Sequence, residues 1–186
     1  VAFLDISELP EVGAGWNALD IVVFQDVDTA ALSAGQLAAL KGWLDTGGQL
    51  VVTGGPGWQK TTAGLADLLP VAVSGSQSVA ELPALEEYAG VPFRDPGPYV
   101  VATNTLQDGE VLVNQDGLSL LARHRIGRGQ VYFLALDPDL APLVEWAGSR
   151  AIWQEIALGA TLLPAWALGA QNSYAAYSAV SSLPSL

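Results

Sequence analysis

The apolar positions of this chain first mass at 19–24, where Leu19-Asp-Ile-Val-Val-Phe24 has the β-branched character of a strand buried on both faces. Ser33 and Gln36 then frame a capping box, and they predict a helix over 34–46. Its apolar stripe is Leu37, Leu40, Trp43 and Leu44, and Gly47-Gly48 supplies the left-handed stop. The next apolar run, 49–53, predicts a second buried strand. Strand, helix and strand with short joints form a right-handed βαβ unit with parallel strands.

Beyond Gly54-Gly55-Pro56-Gly57 the pattern predicts a short helical stretch at 61–69 and a strand at 71–73. From Tyr99 the period changes, and strands are expected at 99–102, 110–113, 118–124 and 130–136. Asn114 to Gly117 and Ile126 to Gly129 are the turns between them, so an antiparallel portion is added to the parallel one. The 130–136 run is apolar enough to return to the centre of the sheet. A last helical segment is expected over 139–163, with Ile152, Trp153, Ile156 and Leu163 facing the core.

Composition narrows the function. Nineteen acidic residues against seven basic give a net charge of −12, a field that repels nucleic acid and anionic membrane surfaces. Arg123, His124, Arg125 and Arg128 form the one basic knot, which reads as a solvated hairpin. With no cysteine there is no disulfide, cysteine-ligated zinc, iron–sulfur cluster or thiol nucleophile. Methionine is absent even at position 1, so Val1 reads as an internal residue of a longer gene product or a trimmed start.

The candidate chemistry gathers where the predicted parallel strands end, the place at which open α/β sheets form their ligand crevice. Asp26 and Asp28 follow one strand, Gly54, Gly55 and Trp58 another, and Asp137 and Asp139 a third. Four carboxylates could hold Mg²⁺ or Ca²⁺. Asp is equally a favoured cap and turn residue, and no metal or other cofactor is expected. The glycine-rich segment from Thr53 to Thr62 has the position of a phosphate loop but carries Gln59 where glycine must precede the lysine, and Trp58 and Pro56 spoil the cradle. No Gly-x-Ser-x-Gly elbow exists, and Ser74 and Ser76, the candidate nucleophiles for His124, fall in an expected exposed loop. Trp16, Trp58 and Trp146 could line a pocket.

At Gly47-Gly-Gln-Leu-Val-Val-Thr-Gly-Gly-Pro56 the sequence resembles the class I glutamine amidotransferase-like superfamily, in which a buried strand ends in a Gly-Gly-Pro turn beside the active site. It is more closely similar to the extracytoplasmic amidotransferase-like domains of large bacterial membrane proteins of unknown function. That resemblance rests on 19–23, on 32–48, and on 127–138 with Ala141-Pro142-Leu143. It implies a flavodoxin-like or Rossmann-like α/β three-layer sandwich with a mostly parallel central sheet plus an antiparallel portion.

The same resemblance implies a ligand- or protein-binding domain outside the cytoplasm, anchored by a membrane helix beyond this chain. Amidotransferases use a Cys at a strand-to-helix elbow and a His and Glu spaced two apart. Here no Cys exists and His124 precedes Arg125 and Ile126, so no catalytic residue carries over and no glutaminase activity is expected. The alternative is a hydrolase or metal-dependent enzyme built on the crevice carboxylates.

Residues 1–165 are expected to form the domain and 166–186 an uncharged juxtamembrane linker. Glu155 is the last charged residue, and Ile156 to Leu186 contains none. The gene product is expected to continue, within about ten residues of Leu186, into a hydrophobic segment of about 20 residues.

Overall fold

The computed structural model describes residues 3–94 and 97–160, and within them the chain is a mixed α/β domain. β1 (Ile21–Phe24), β2 (Gln49–Thr53), β5 (Glu110–Gln115), β6 (Leu118–Ile126) and β7 (Gly129–Leu134) make a five-stranded sheet in the order β1-β2-β7-β6-β5. β3 (Val71–Val79) and β4 (Tyr99–Leu106) pair antiparallel as a separate sheet. The helices are α1 (Ala34–Thr46), α2 (Trp58–Thr62), α3 (Pro83–Ala89) and α4 (Ser149–Ala160).

The expected βαβ unit is present: β1 and β2 run parallel, joined through α1. The capping box closes as read, with Ser33 Oγ accepting from Gln36 N at 3.1 Å and Gln36 Oε1 accepting from Ser33 N at 2.9 Å. The Gln36 amide also donates to the carbonyls of Ile6 and Leu9 at 2.8 and 3.0 Å, which ties the N-terminal arm to the helix. Gln36→Glu preserves the acceptor of the box and removes both donors. We expect it to cost about 1–2 kcal/mol, measured as a lower urea midpoint.

β7 is the central strand, as its apolar run predicts; it is buried at nearly every position and parallel to β2. The expectation of a mostly parallel, Rossmann-like sheet is not met. Two ladders of the large sheet are parallel (β1–β2 and β2–β7) and two are antiparallel (β7–β6 and β6–β5). The cause is local: β6 and β7 are joined by the two residues Gly127 and Arg128, and β5 and β6 by Asp116 and Gly117, too short for a crossover. Asp116 and Gly117 both have positive φ, 53° and 83°, as an Asp-Gly hairpin turn requires.

Other boundaries shift. The expected helix over 139–163 begins only at Ser149, because 138–148 is occupied by turns around Pro142, with Leu140 and Val144 exposed. Ile152 and Ile156 do face the core, and Trp153 is partly buried against it. Ser74 and Ser76 lie on β3 rather than in a loop. The basic knot divides: Arg125 and Arg128 are exposed, whereas Arg123 and His124 are largely covered. The expected linker 166–186 and Leu163 lie outside the described residues.

Arg123 sits on the sheet face toward α4 and bonds Glu110 on β5 through Nε and Glu155 on α4 through Nη1, both at 2.5 Å. Beside it the fully buried Tyr132 phenol interacts with the Arg123 guanidinium, while neither end of the buried Gln49 amide finds a hydrogen-bond partner among the described residues. Burial pushes the Tyr132 phenol above its ordinary value of 10, so an unfolded chain ionises first and stability falls as pH rises past that value. Tyr132→Phe removes the buried phenol and its interaction with Arg123. We expect a smaller loss of melting temperature above about pH 10 than in the unsubstituted protein.

A candidate crevice at the carboxyl edge of the parallel strands

β1, β2 and β7 are adjacent and parallel, so their carboxyl ends open side by side. Thr53 is followed by Gly54, whose N–H donates to Leu134 O at 2.7 Å, and by Gly55, whose N–H donates to Ala135 O at 3.1 Å. Gly55 takes φ +75°, a conformation that L side chains rarely adopt. Its back lies against Asp137: a β-carbon there would stand 2.8 Å from Asp137 Cβ. Gly57 is crowded in the same way by Asp26, whose Oδ1 would be 2.1 Å from an added β-carbon.

The crevice therefore gathers Asp26, Gly54, Gly55 and Asp137. Asp26, at φ +48°, pairs with Lys60 Nζ on α2 at 3.0 Å. Asp137 Oδ1 accepts from Gln25 Nε2 at 2.9 Å and from Asp139 N at 3.0 Å. Asp28 is turned to another task, because its side chain accepts from Ala30 N at 3.1 Å and caps the 3-10 turn Thr29–Ala31. Asp139 is exposed and enters through its backbone N–H. Trp58, partly buried against the core, starts α2 as one wall.

That wall is pinned by Thr29, which is fully buried. Its hydroxyl lies 3.2 and 3.1 Å from the carbonyls of Lys60 and Thr61, and it accepts from Gly64 N at 2.9 Å.

Gln25 and Lys60 escape a reading of the sequence as partners of these carboxylates. Gln25 is simply the residue after a strand, and Lys60, on α2, belongs to a glycine-rich segment whose spacing is wrong for phosphate. Only their proximity to Asp137 and Asp26 gives them a role.

Chemically the crevice is a set of single, separately engaged carboxylates. Among the described residues no group of three or more His, Asp or Glu gathers as a metal would require. The Lys60–Asp26 pair is about half exposed, and such pairs contribute roughly 0–1 kcal/mol. The candidates for acid–base work are dispersed: His124 bonds Leu68, and Ser74 lies against Thr103. Of the three tryptophans, Trp16 is fully buried and packed on Trp43, so it lines no pocket. Trp146 lines a recess of about 300 Å³ between 91–94 and 141–147, away from the crevice.

The fold has known counterparts. Two solved structures from Salmonella typhimurium are similar: the cytoplasmic protein STM3548 (18% identical, TM-score 0.61, covering 83% of this chain and 74% of that one) and STM1381 from strain LT2 (18%, 0.59, 81% and 75%). The mmIFT52 N-terminal domain is similar at 14% identity and TM-score 0.55, over 82% of each chain. At such identities the likeness is one of fold. A search of the curated proteins finds no match. A family model does match, over residues 4–139, which take in β1, the glycine turn after β2 and both Asp137 and Asp139; the chain belongs to that family, described as a domain of unknown function (DUF7408).

Proposed function

We propose that this chain is a non-catalytic binding domain that takes a small molecule or a segment of a partner protein in the crevice between Asp26, Gly55, Trp58 and Asp137. The carrying observation is that each carboxylate is already committed separately: Asp26 to Lys60, Asp137 to Gln25 and the Asp139 amide, Asp28 to its own turn. A hydrolytic or metal-dependent site needs carboxylates converging on one point. The missing thiol supports the same reading of an amidotransferase-like fold that has lost its nucleophile.

We further propose that the domain works outside the cytoplasm on a membrane-anchored bacterial protein. The support is the resemblance at 19–23, 32–48, 127–138 and 141–143 and the absence of any charge from Ile156 to Leu186. No helix of the described residues is long and apolar enough to cross a membrane, so the anchor would belong to another segment. Fractionation of cells expressing the full-length gene product tests this, since recovery in the soluble cytoplasmic fraction would contradict it.

The crevice itself is tested by screening small-molecule and peptide libraries against ¹⁵N-labelled protein. Hits are expected to move the Trp58 indole and the Gly54, Gly55 and Gly57 amides and to be recovered unchanged. Turnover of a hit, or saturable Mn²⁺ broadening centred on Asp26 and Asp137, would replace this reading with the enzymatic one.

A further inference from the structure

β1 and β5 bound the large sheet, and β3 and β4 bound the small one. A strand edge without a partner offers a row of N–H and C=O groups to another strand. The far side of β4 is docked on the domain, with Ala102 N donating to Ala135 O at 2.8 Å. β1 is only four residues long and is flanked by Asp20 and Asp26, while the β5 ladder starts at Glu110 and slips twice. β3 is nine residues long and has neither a charge nor a proline. Among the described residues, its backbone hydrogen bonds run to β4 alone.

The one defence on β3 is a bulge. The register passes from Val73 opposite Asn104 to Gly75 opposite Thr103 and leaves Ser74 with no residue across from it. The first half of the strand is also approached by α2, whose Thr62 lines a recess together with Val71 and Val73. Beyond the bulge the ladder from Gly75 to Val79 is regular, and Ser76, Gln77 and Ser78 are all exposed. The triplet Ser76-Gln77-Ser78 reads the same in both directions. A two-fold axis at Gln77 sets Gln77 opposite its own copy and Ser76 opposite Ser78 of the other copy.

We propose that the Gly75–Val79 edge pairs antiparallel with the same edge of a second copy of this chain. Charge selects this edge: each copy carries −12, so two copies repel over most approaches, yet neither β3 nor β4 holds a charged residue. The acidic residue next along the chain, Glu81, lies four positions from the axis in each copy. At about 3.4 Å per residue the two stand roughly 27 Å apart, well beyond the screening length of about 8 Å in physiological salt. The two Gln77 amides, each both donor and acceptor, can bond each other across the axis. A pairing this short covers less than a standard interface, so the dimer is a weak one that forms with concentration. The edge shares no residue with the crevice, and its test is separate from the function proposed there.

Sedimentation of the 186-residue chain over a dilution series up to about 1 mM should show a monomer–dimer equilibrium. Protection of the Ser76, Gln77 and Ser78 amides from hydrogen exchange should rise along the same series. Gln77→Lys and Gln77→Glu each set like charges opposite one another and should weaken the dimer about fivefold or more, and an equimolar mixture of the two should restore it. The chain has no cysteine, so Gln77→Cys reads the register without added charge. Mild oxidation should link two copies through that thiol, whereas Gln154→Cys, at an exposed position on α4, should stay unlinked. A chain still monomeric at about 1 mM, a dimer that tolerates both charged substitutions, or protection that does not change with concentration would overturn the proposal. So would a foreign extended peptide that protects these amides in a chain that does not pair with itself.

Discussion

Trp16→Ala should lower the stability of the domain by about 3–5 kcal/mol, the range for emptying a fully buried large aromatic site. Trp16 ends the 3-10 turn Gly13–Trp16 and is fully buried, with its ring centroid 5.5 Å from that of Trp43 on α1. Its indole donates to Pro10 O at 2.9 Å, while Trp43 donates to Leu19 O at 2.8 Å just before β1. The two rings thus lock the N-terminal arm, α1 and the start of β1 into one block. Trp16→Phe keeps part of the apolar contact but loses the donor to Pro10 and three ring atoms from a fully buried site, so it should cost less than the alanine change, about 2–3 kcal/mol. Urea titrations read both values. Hydrogen exchange should show residues 3–17 losing protection in the alanine variant. An intact arm with a loss below about 1 kcal/mol would show that the arm is held by Gln36 and not by Trp16.

Features set by neighbours in sequence were legible, and those set by distant partners were not. The α1 cap is visible because Ser33 and Gln36 satisfy each other within one turn, and the centrality of β7 is visible because an unbroken apolar run has no face to give to water. The direction of β6 and β5 was legible in the Asp116-Gly117 and Gly127-Arg128 turns, which read as antiparallel hairpins, whereas the mostly parallel sheet implied by the resemblance was not met. Helix α3 went unread, since a seven-residue segment with one fully buried side chain, Leu85, has almost no periodicity to show. His124 misled for a different reason: flanking arginines suggest a wet strand, but alternation sends its ring to the opposite face, under Leu68. The crevice was half legible. Its strand-end aspartates and glycines could be placed from topology, while Gln25 and Lys60 could be found only from contacts across 112 residues of chain and between β1 and α2.

Gly54→Val should be the most damaging change in the crevice, costing about 3 kcal/mol or more, at the upper end of what overpacking imposes. A β-carbon at Gly54 would stand 2.8 Å from the Ala135 carbonyl oxygen, 2.9 Å from its carbon and 2.8 Å from Ala102 Cβ. Neither backbone can yield cheaply, because Ala135 O is the shared acceptor for Gly55 N at 3.1 Å and Ala102 N at 2.8 Å. Pushing that oxygen aside breaks the junction of β2, β7 and β4 at once, and with it the seat of Asp137 behind Gly55. Gly55→Val strains the backbone at φ +75° as well and should cost more than about 1 kcal/mol. Gly42→Ala supplies the contrast: it is exposed on α1 with nothing within 4 Å of an added β-carbon, and helix propensity should make it about 0.5–1 kcal/mol more stable. Urea midpoints at constant slope give all three values. If Gly54→Val were tolerated within about 1 kcal/mol, the strand ends would be loose enough to part. The crevice would then be a deformable gap, and the binding proposed for it would have to be sought on a different face of the domain.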